Sequence, residues 1–224
     1  MPSLPGPLLL PRRRVLSLGL ASAAAVMLAA CGKKQRGRPV AAGASVLALG
    51  DSITFGTGAT PDTSYPAVLA RLTGWNVINA GVPGDTSAQA LERLPDLLQE
   101  HLPALVLVSI GGNDFLRRVS EASTRANIRA ICQQCLAAGA QVLLIGVPQP
   151  SLVAAVARSL SDHPMYAELA KDLKLPLHAD GWSEVLADAA LRSDAIHANA
   201  KGYEKFASGL AGTARELGLL PGAR

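Results

Sequence analysis

From Ser45 onward, short apolar runs alternate with stretches whose apolar residues recur every three or four positions. Val46–Leu49, Asn76–Asn79, Leu105–Ile110, Gln141–Val147 and Leu175–His178 read as five strands. Leu105–Ile110 is continuous and rich in β-branched residues, the pattern of a strand buried on both faces. Helical spacing marks Tyr65–Leu72, starting at Pro66 and ended by Gly74, and Thr86–His101, where Pro95 is expected to kink the helix. It also marks Ser123–Ala138, closed by Gly139, Leu152–Leu173 with a break near Asp162-His163-Pro164, and Trp182–Leu191. A last helix, Asn199–Leu217, has Asn199 as N-cap and Gly218 and Pro221 as its stop. Strands separated by helices predict an α/β chain in three layers, a five-stranded parallel sheet between two helical layers. In such sheets ligands bind beyond the carboxyl ends of the strands.

The chain before Ser45 has a different pattern. Arg12-Arg13-Arg14 precedes an uncharged apolar stretch, Val15–Ala30, of 16 residues. That is short of the roughly 20 residues a membrane span needs and suits the h-region of an export signal. The stretch ends Leu28-Ala29-Ala30-Cys31-Gly32, which resembles the bacterial lipoprotein cleavage box. The resemblance implies that residues 1–30 are removed and that Cys31 is lipidated. An uncleaved anchor, or a plain signal with a chance cysteine, is the bland reading. Arg12–Leu16 also loosely matches a twin-arginine signal. Gly32, rather than aspartate, after the cysteine implies an outer-membrane address on the periplasmic side. Residues 31–44, dominated by Gly, Lys, Arg, Gln and Pro, read as a flexible tether, and residues 45–224 as the folded domain.

Composition narrows the classes. Apolar residues make up 49% of the 224, enough for a sizeable core, but aromatics only 4%, so aliphatic residues must do most of the filling. The formal charge of +4 comes from the leader and tether. From Pro39 onward, 14 basic face 17 acidic residues, so no domain-wide basic face exists and nucleic acid is not an expected partner. Cys132 and Cys135 lie mid-helix, away from the strand-to-helix junctions where redox cysteines gain low pKa values. They read as packed, with a bridge left open.

The chemistry concentrates in four stretches: Gly50-Asp51-Ser52, Asn79–Thr86, Gly111-Gly112-Asn113-Asp114 and Asp194–Asn199. A serine nucleophile needs a base, the base a carboxylate, and the developing oxyanion needs donors. Ser52 supplies the hydroxyl and His197 the base. Asp194, three residues earlier, is within reach of the other ring nitrogen. The backbone N–H groups of Ser52 and Gly84 and the side-chain amide of Asn113 offer an oxyanion hole. Gly81 competes with Gly84, and Asp51 with Asp194. Asp51, Asp85 and Asp114 otherwise read as turn or cap carboxylates, the last two capping the helices that follow. His101, His163 and His178 fall at a helix end, a helix break and a sheet end. The four histidines make no metal-ligand spacing, and neither metal nor cofactor is expected.

In order and spacing, the four stretches resemble the four blocks of the GDSL/SGNH hydrolase family. Asn-Ala-X-X-X-Gly-Asp-Thr-Ser and Gly-Gly-Asn-Asp stand in the form seen in its periplasmic multifunctional acyl-CoA thioesterase/lysophospholipase/arylesterase branch. The resemblance runs from about Val46 to the C-terminus and implies a flavodoxin-like fold. It implies Ser52, Asp194 and His197 as triad, and Ser52, Gly84 and Asn113 as oxyanion hole. One departure is Ala198, where the family usually has proline. The resemblance also puts Phe115 and Leu116, and the loop Pro148-Gln149-Pro150, beside the acyl pocket; as ordinary helix residues Phe115 and Leu116 would simply pack. It implies a small-molecule or lipid acyl ester as substrate, and a membrane contact through the anchor. Two alternatives stand beside this reading: a carbohydrate O-acetyl esterase of the cell envelope, and a non-catalytic envelope-binding lipoprotein.

Overall fold

The computed structural model describes residues 37–149 and 160–220. The leader, Cys31, Pro150 and the first part of the helix expected from Leu152 lie outside the described residues. Five strands form one all-parallel sheet: β1 (Ser45–Gly50), β2 (Asn76–Gly81), β3 (Leu105–Ser109), β4 (Gln141–Ile145) and β5 (Leu177–His178). Their spatial order is β2-β1-β3-β4-β5. This is the flavodoxin-like order, with its reversal of direction at β1 and β3. Helices α1 (Ser52–Phe55), α2 (Tyr65–Thr73), α3 (Ser87–His101) and α4 (Gly112–Leu116) are followed by α5 (Glu121–Ala137), α6 (Met165–Leu173), α7 (Gly181–Ala187) and α8 (Ala200–Glu216).

Alternation along the strands sorts the core into two layers. Val46, Ala48, Leu105, Leu107, Leu143 and Ile145 meet α2, α7 and α8 on one face, with Tyr65, Trp182, Tyr203 and Phe206. Leu47, Leu49, Val106, Val108, Val142 and Leu144 meet α3, α5 and α6 on the other. Nearly every residue of β1, β3 and β4 therefore buries a side chain on one face or the other, which is why these strands read as apolar runs, whereas the edge strand β2 exposes Asn76 and Asn79.

Several expectations are corrected. The stretch read as a free tether is docked from Gly37 on: Gly37 N–H donates to Leu217 O (2.8 Å) and Val40 N–H to Leu219 O (2.7 Å). Val40 is buried and its carbonyl accepts from Trp75 Nε1 (3.2 Å). Pro95, expected to kink this helix, lies exposed inside the continuous α3. The segment expected as one helix from Trp182 to Leu191 is divided. Asp188 accepts from Ala190 N–H (2.9 Å) and starts a separate 3₁₀ turn, Ala189–Leu191. The short helices α1 and α4 have no periodicity to announce them and were not expected. Cys132 and Cys135 are free, buried thiols in the second layer, and burial pushes both up to about 12.

Candidate active site

β1 delivers the nucleophile-bearing turn. A Cβ on Gly50 would collide with Thr54 Oγ1 and the carbonyl of Ser109, so only glycine lets the chain bend this tightly against β3. Asp51 then caps α1, accepting from Ile53 N–H (3.1 Å), and Ser52 stands as the first helical residue. Across from it, the loop before α8 carries His197. Asp194 Oδ1 accepts from the N–H groups of Ile196 and His197 (both 2.8 Å), which folds the loop back on itself. Ser193 N–H donates to His197 O (3.0 Å), and Arg192 pairs with Ala198 in an isolated antiparallel bridge. Ala198 is fully buried, so the loop is held by this bridge and by Asn199, the N-cap of α8, without a proline.

These two turns bring Ser52, His197 and Asp194 into one hydrogen-bonded chain. His197 Nε2 lies 2.9 Å from Ser52 Oγ, and His197 Nδ1 lies 2.7 Å from Asp194 Oδ2. With the Nδ1 proton donated to the carboxylate, Nε2 is left to accept the serine proton. Burial pushes the Asp194 carboxyl up, but the hydrogen bonds from the His197 ring and from the two backbone N–H groups outweigh it and hold the group below its ordinary value. The rival carboxylate, Asp51, does not reach the imidazole by a hydrogen bond. Burial pushes it up to about 6, against the Ile53 N–H and the charge of His197.

The three expected oxyanion groups are less uniformly placed. Asn113 sits in α4, its Nδ2 donating to Asp85 O (3.0 Å) with a longer contact to Asp51 Oδ2 (3.4 Å). Gly84 lies on the turn after β2 with φ +85°, and its carbonyl accepts from Arg117 Nη2 (2.8 Å). Gly81 is the weaker candidate, because its N–H already donates to Asn79 Oδ1 (3.0 Å) within β2. The carboxylates expected as local caps do other work. Asp114 accepts from Ser87 N–H (2.7 Å) and Ser87 Oγ (2.5 Å), capping α3 from across the fold, and Asp85 pairs with Arg93 Nε (2.7 Å).

A cavity of about 440 Å³ opens beside Ser52 and Asn113. Leu116 and Pro148 line it. Phe115 does not: its ring stacks on His163 at 4.7 Å and packs into the core beneath α4. Val147, Leu160, Leu186, Arg192 and Ile196 also line the cavity. None was singled out from the sequence. Val147 was legible only as the end of an apolar strand, and Leu160, Leu186 and Arg192 come from segments whose approach depends on tertiary packing. A hydroxyl activated by an oriented imidazole, at the mouth of an apolar cavity, can attack an acyl carbonyl whose chain the cavity accepts.

Comparison with known proteins agrees with this geometry. Residues 48–205 match the model of the GDSL-like Lipase/Acylhydrolase family. The chain is 37% identical over 166 residues to thioesterase 1/protease 1/lysophospholipase L1 of Escherichia coli strain K12, covering 71% of this chain and 77% of that protein. It is 40% identical over 115 residues to esterase TesA of Pseudomonas aeruginosa, covering 49% of this chain and 57% of that one. Among solved structures, the crystal structure of TesA superposes with a TM-score of 0.69 at 30% identity, over 77% of this chain and 99% of that one. Family match, fold and relatives agree: this chain belongs to the GDSL-like lipase/acylhydrolase family and is a serine ester hydrolase.

Proposed function

We propose that the protein hydrolyses carboxylic esters and thioesters of medium-length acyl chains through an acyl-enzyme on Ser52, in the manner of an arylesterase, thioesterase or lysophospholipase. The observation that carries this reading is the unbroken chain Ser52 Oγ–His197 Nε2–Asp194 at 2.9 and 2.7 Å beside an apolar cavity. His197 takes the Ser52 proton as Oγ attacks the carbonyl carbon. Ser52 N–H, Gly84 N–H and Asn113 Nδ2 stabilise the oxyanion. The alcohol or thiol then leaves with the proton from His197. Water, deprotonated by His197, attacks the acyl-serine, and the carboxylic acid departs as Ser52 regains its proton. Leu116, Val147 and Pro148 favour an acyl chain over the bare acetyl group of a carbohydrate ester.

The test is hydrolysis of p-nitrophenyl esters from acetate to palmitate by wild type and Ser52→Ala. The serine mechanism requires activity to fall by about 10⁴ or more in the variant, and the cavity requires an optimum near four to eight carbons. Activity retained by Ser52→Ala refutes the mechanism. An optimum at acetate refutes the assigned substrate class.

We also propose that Cys31 is acylated and holds the enzyme on the periplasmic side of a bacterial envelope, on the outer membrane. The apolar stretch Val15–Ala30 and the small residues before Cys31 support this. Cys31→Ser is expected to move the protein from the membrane fraction to the soluble fraction and to abolish labelling by radioactive palmitate.

A further inference from the structure

Among the described residues, the otherwise largely apolar wall of the cavity beside Ser52 carries one cation, Arg192. Several other arginines of the domain are held, and those without a side-chain partner among the described residues, Arg38, Arg118 and Arg215, are exposed. Arg93 is paired with Asp85, Arg117 with Gly84 O, Arg125 with Glu121 and Glu168, and Arg129 with Asp172. The half-buried Arg192 differs. Its backbone is fixed by the bridge to Ala198 and by Asn199 Nδ2 on its carbonyl (3.1 Å). Its guanidinium makes no hydrogen bond or ion pair to any described residue. Such a group has lost part of its hydration and gained no partner, which leaves it ready to bind an anion that enters the cavity. The other charged group on the wall, Asp51, is already engaged by Ile53 N–H and approached by Asn113.

The bridge also places this cation relative to the reaction. Ala198, its bridge partner, directly follows His197. His197 hands its proton to the departing group, so the leaving group lies on the side of the cavity that this loop forms. We propose that Arg192 is a specificity residue that recognises an anion, phosphate or carboxylate, carried on the leaving group a few bonds from the scissile carbonyl. The inference rests on the serine ester hydrolysis proposed above. The acyl chain then takes the wall formed by Leu116, Val147 and Pro148.

Two matched substrate pairs test it. In the first, 1-octanoylglycerol 3-phosphate and 1-octanoylglycerol differ only in the phosphate on the leaving group. The kcat/KM ratio of phosphate to neutral ester is expected to fall about tenfold in Arg192→Met. Arg192→Lys is expected to recover part of it, since a lysine keeps the charge and loses the fork. Arg192→Gln serves the same comparison should the methionine variant not fold. A ratio that stays at the wild-type value when the charge is removed overturns the proposal. In the second pair, the p-nitrophenyl monoester of adipic acid and p-nitrophenyl hexanoate differ by a carboxylate on the acyl side. Dependence on Arg192 in this pair and not in the first overturns the leaving-group placement. Wild type that cleaves none of the four esters overturns the esterase reading itself, an outcome distinct from an unchanged ratio.

Discussion

On the face covered by α2, α7 and α8, aromatic side chains reach up to the site with single polar contacts. Tyr65 Oη lies 3.3 Å from Thr54 Oγ1, Tyr203 Oη donates to Thr57 O (2.7 Å), and Trp182 Nε1 donates to Ser109 Oγ (3.1 Å). Their rings pack together, with Trp182 stacked on Phe206 at 3.5 Å. On the face covered by α3, α5 and α6, the layer is mainly aliphatic. Tyr166 is the one fully buried aromatic among its described residues, its Oη donating to Ile110 O (2.7 Å). Much of the polar support on this face converges on Asp114. Its carboxylate takes Ser87 N–H, Ser87 Oγ and Thr124 Oγ1, the last at 3.3 Å. The first face thus supports the turn that bears Ser52 by many weak contacts. The second holds Asn113 beside one buried hub. A distributed support loses little with any one contact, and a concentrated one fails when its centre is removed.

Loss of the nucleophile aside, the largest expected effects therefore fall on the second face. Asn113→Ala removes one proposed oxyanion donor and should lower kcat by about 10²–10³ while leaving the melting curve near wild type. Asp114→Ala leaves two buried donors, Ser87 N–H and Ser87 Oγ, without their acceptor, and α3 without its cross-fold cap, while Thr124 Oγ1 keeps Ser120 O (3.2 Å). It should cost about 3 kcal/mol or more in urea unfolding, and it should lower kcat as well because Asn113 adjoins it. A loss below about 1 kcal/mol would show that the hub is not a hub.

How much of this was legible follows the same division. The five strands, their parallel order and the Ser52, His197 and Asp194 positions were readable, because strand runs and the four motif stretches are local signals. The roles of Asp114 and Asp85 were not. Each is bonded to a partner far along the chain or a turn away, Ser87 and Arg93, and a carboxylate before a helix looks like that helix's own cap. Phe115 was misplaced for a related reason. An aromatic residue two positions after Asn113 is apolar whether it lines a pocket or stacks on His163, and only the path of residues 160–164 decides. The docking of Gly37 and Val40 was hidden because a polar, proline-containing stretch gives no periodicity. It is fixed by the end of α8 and by Trp75, both remote in sequence.

The next prediction sets one buried titrating group against another. Burial lowers His178, packed edge-on against Phe206, to about 4, and raises Asp51 to about 6. A depressed histidine contributes stability that is present above about pH 6.5 and is lost as the pH falls toward 4. A raised aspartate acts in the opposite sense. Its folded state takes up a proton near pH 6, before the unfolded chain does near 3.8, so stability is gained as the pH falls. Between pH 6 and 4 the two proton uptakes nearly cancel, and these groups leave wild-type stability almost flat. Asp51→Asn should expose the histidine alone, with stability falling by about 3 kcal/mol from pH 6.5 to 4. His178→Gln should expose the aspartate alone, with stability rising over the same range. Parallel slopes in the two variants would mean that the burial of one group is not what sets its titration.

The smallest expected effect returns to the aromatic face. Tyr203→Phe keeps the ring among Tyr65, Trp182 and Phe206 and removes only the hydroxyl that binds Thr57 O. One neutral hydrogen bond to a partly buried carbonyl is worth about 1 kcal/mol. In a domain of this size that lowers Tm by about 2–4 °C. Tyr65→Phe should do less still, since its 3.3 Å contact to Thr54 is longer than the 2.7 Å bond of Tyr203. If support on this face is distributed, the double variant should cost no more than the sum of the two, because the hydroxyls hold different residues, Thr54 and Thr57. A double variant that costs well over the sum, in calorimetry at one pH, would show that the aromatic face works as a hub after all.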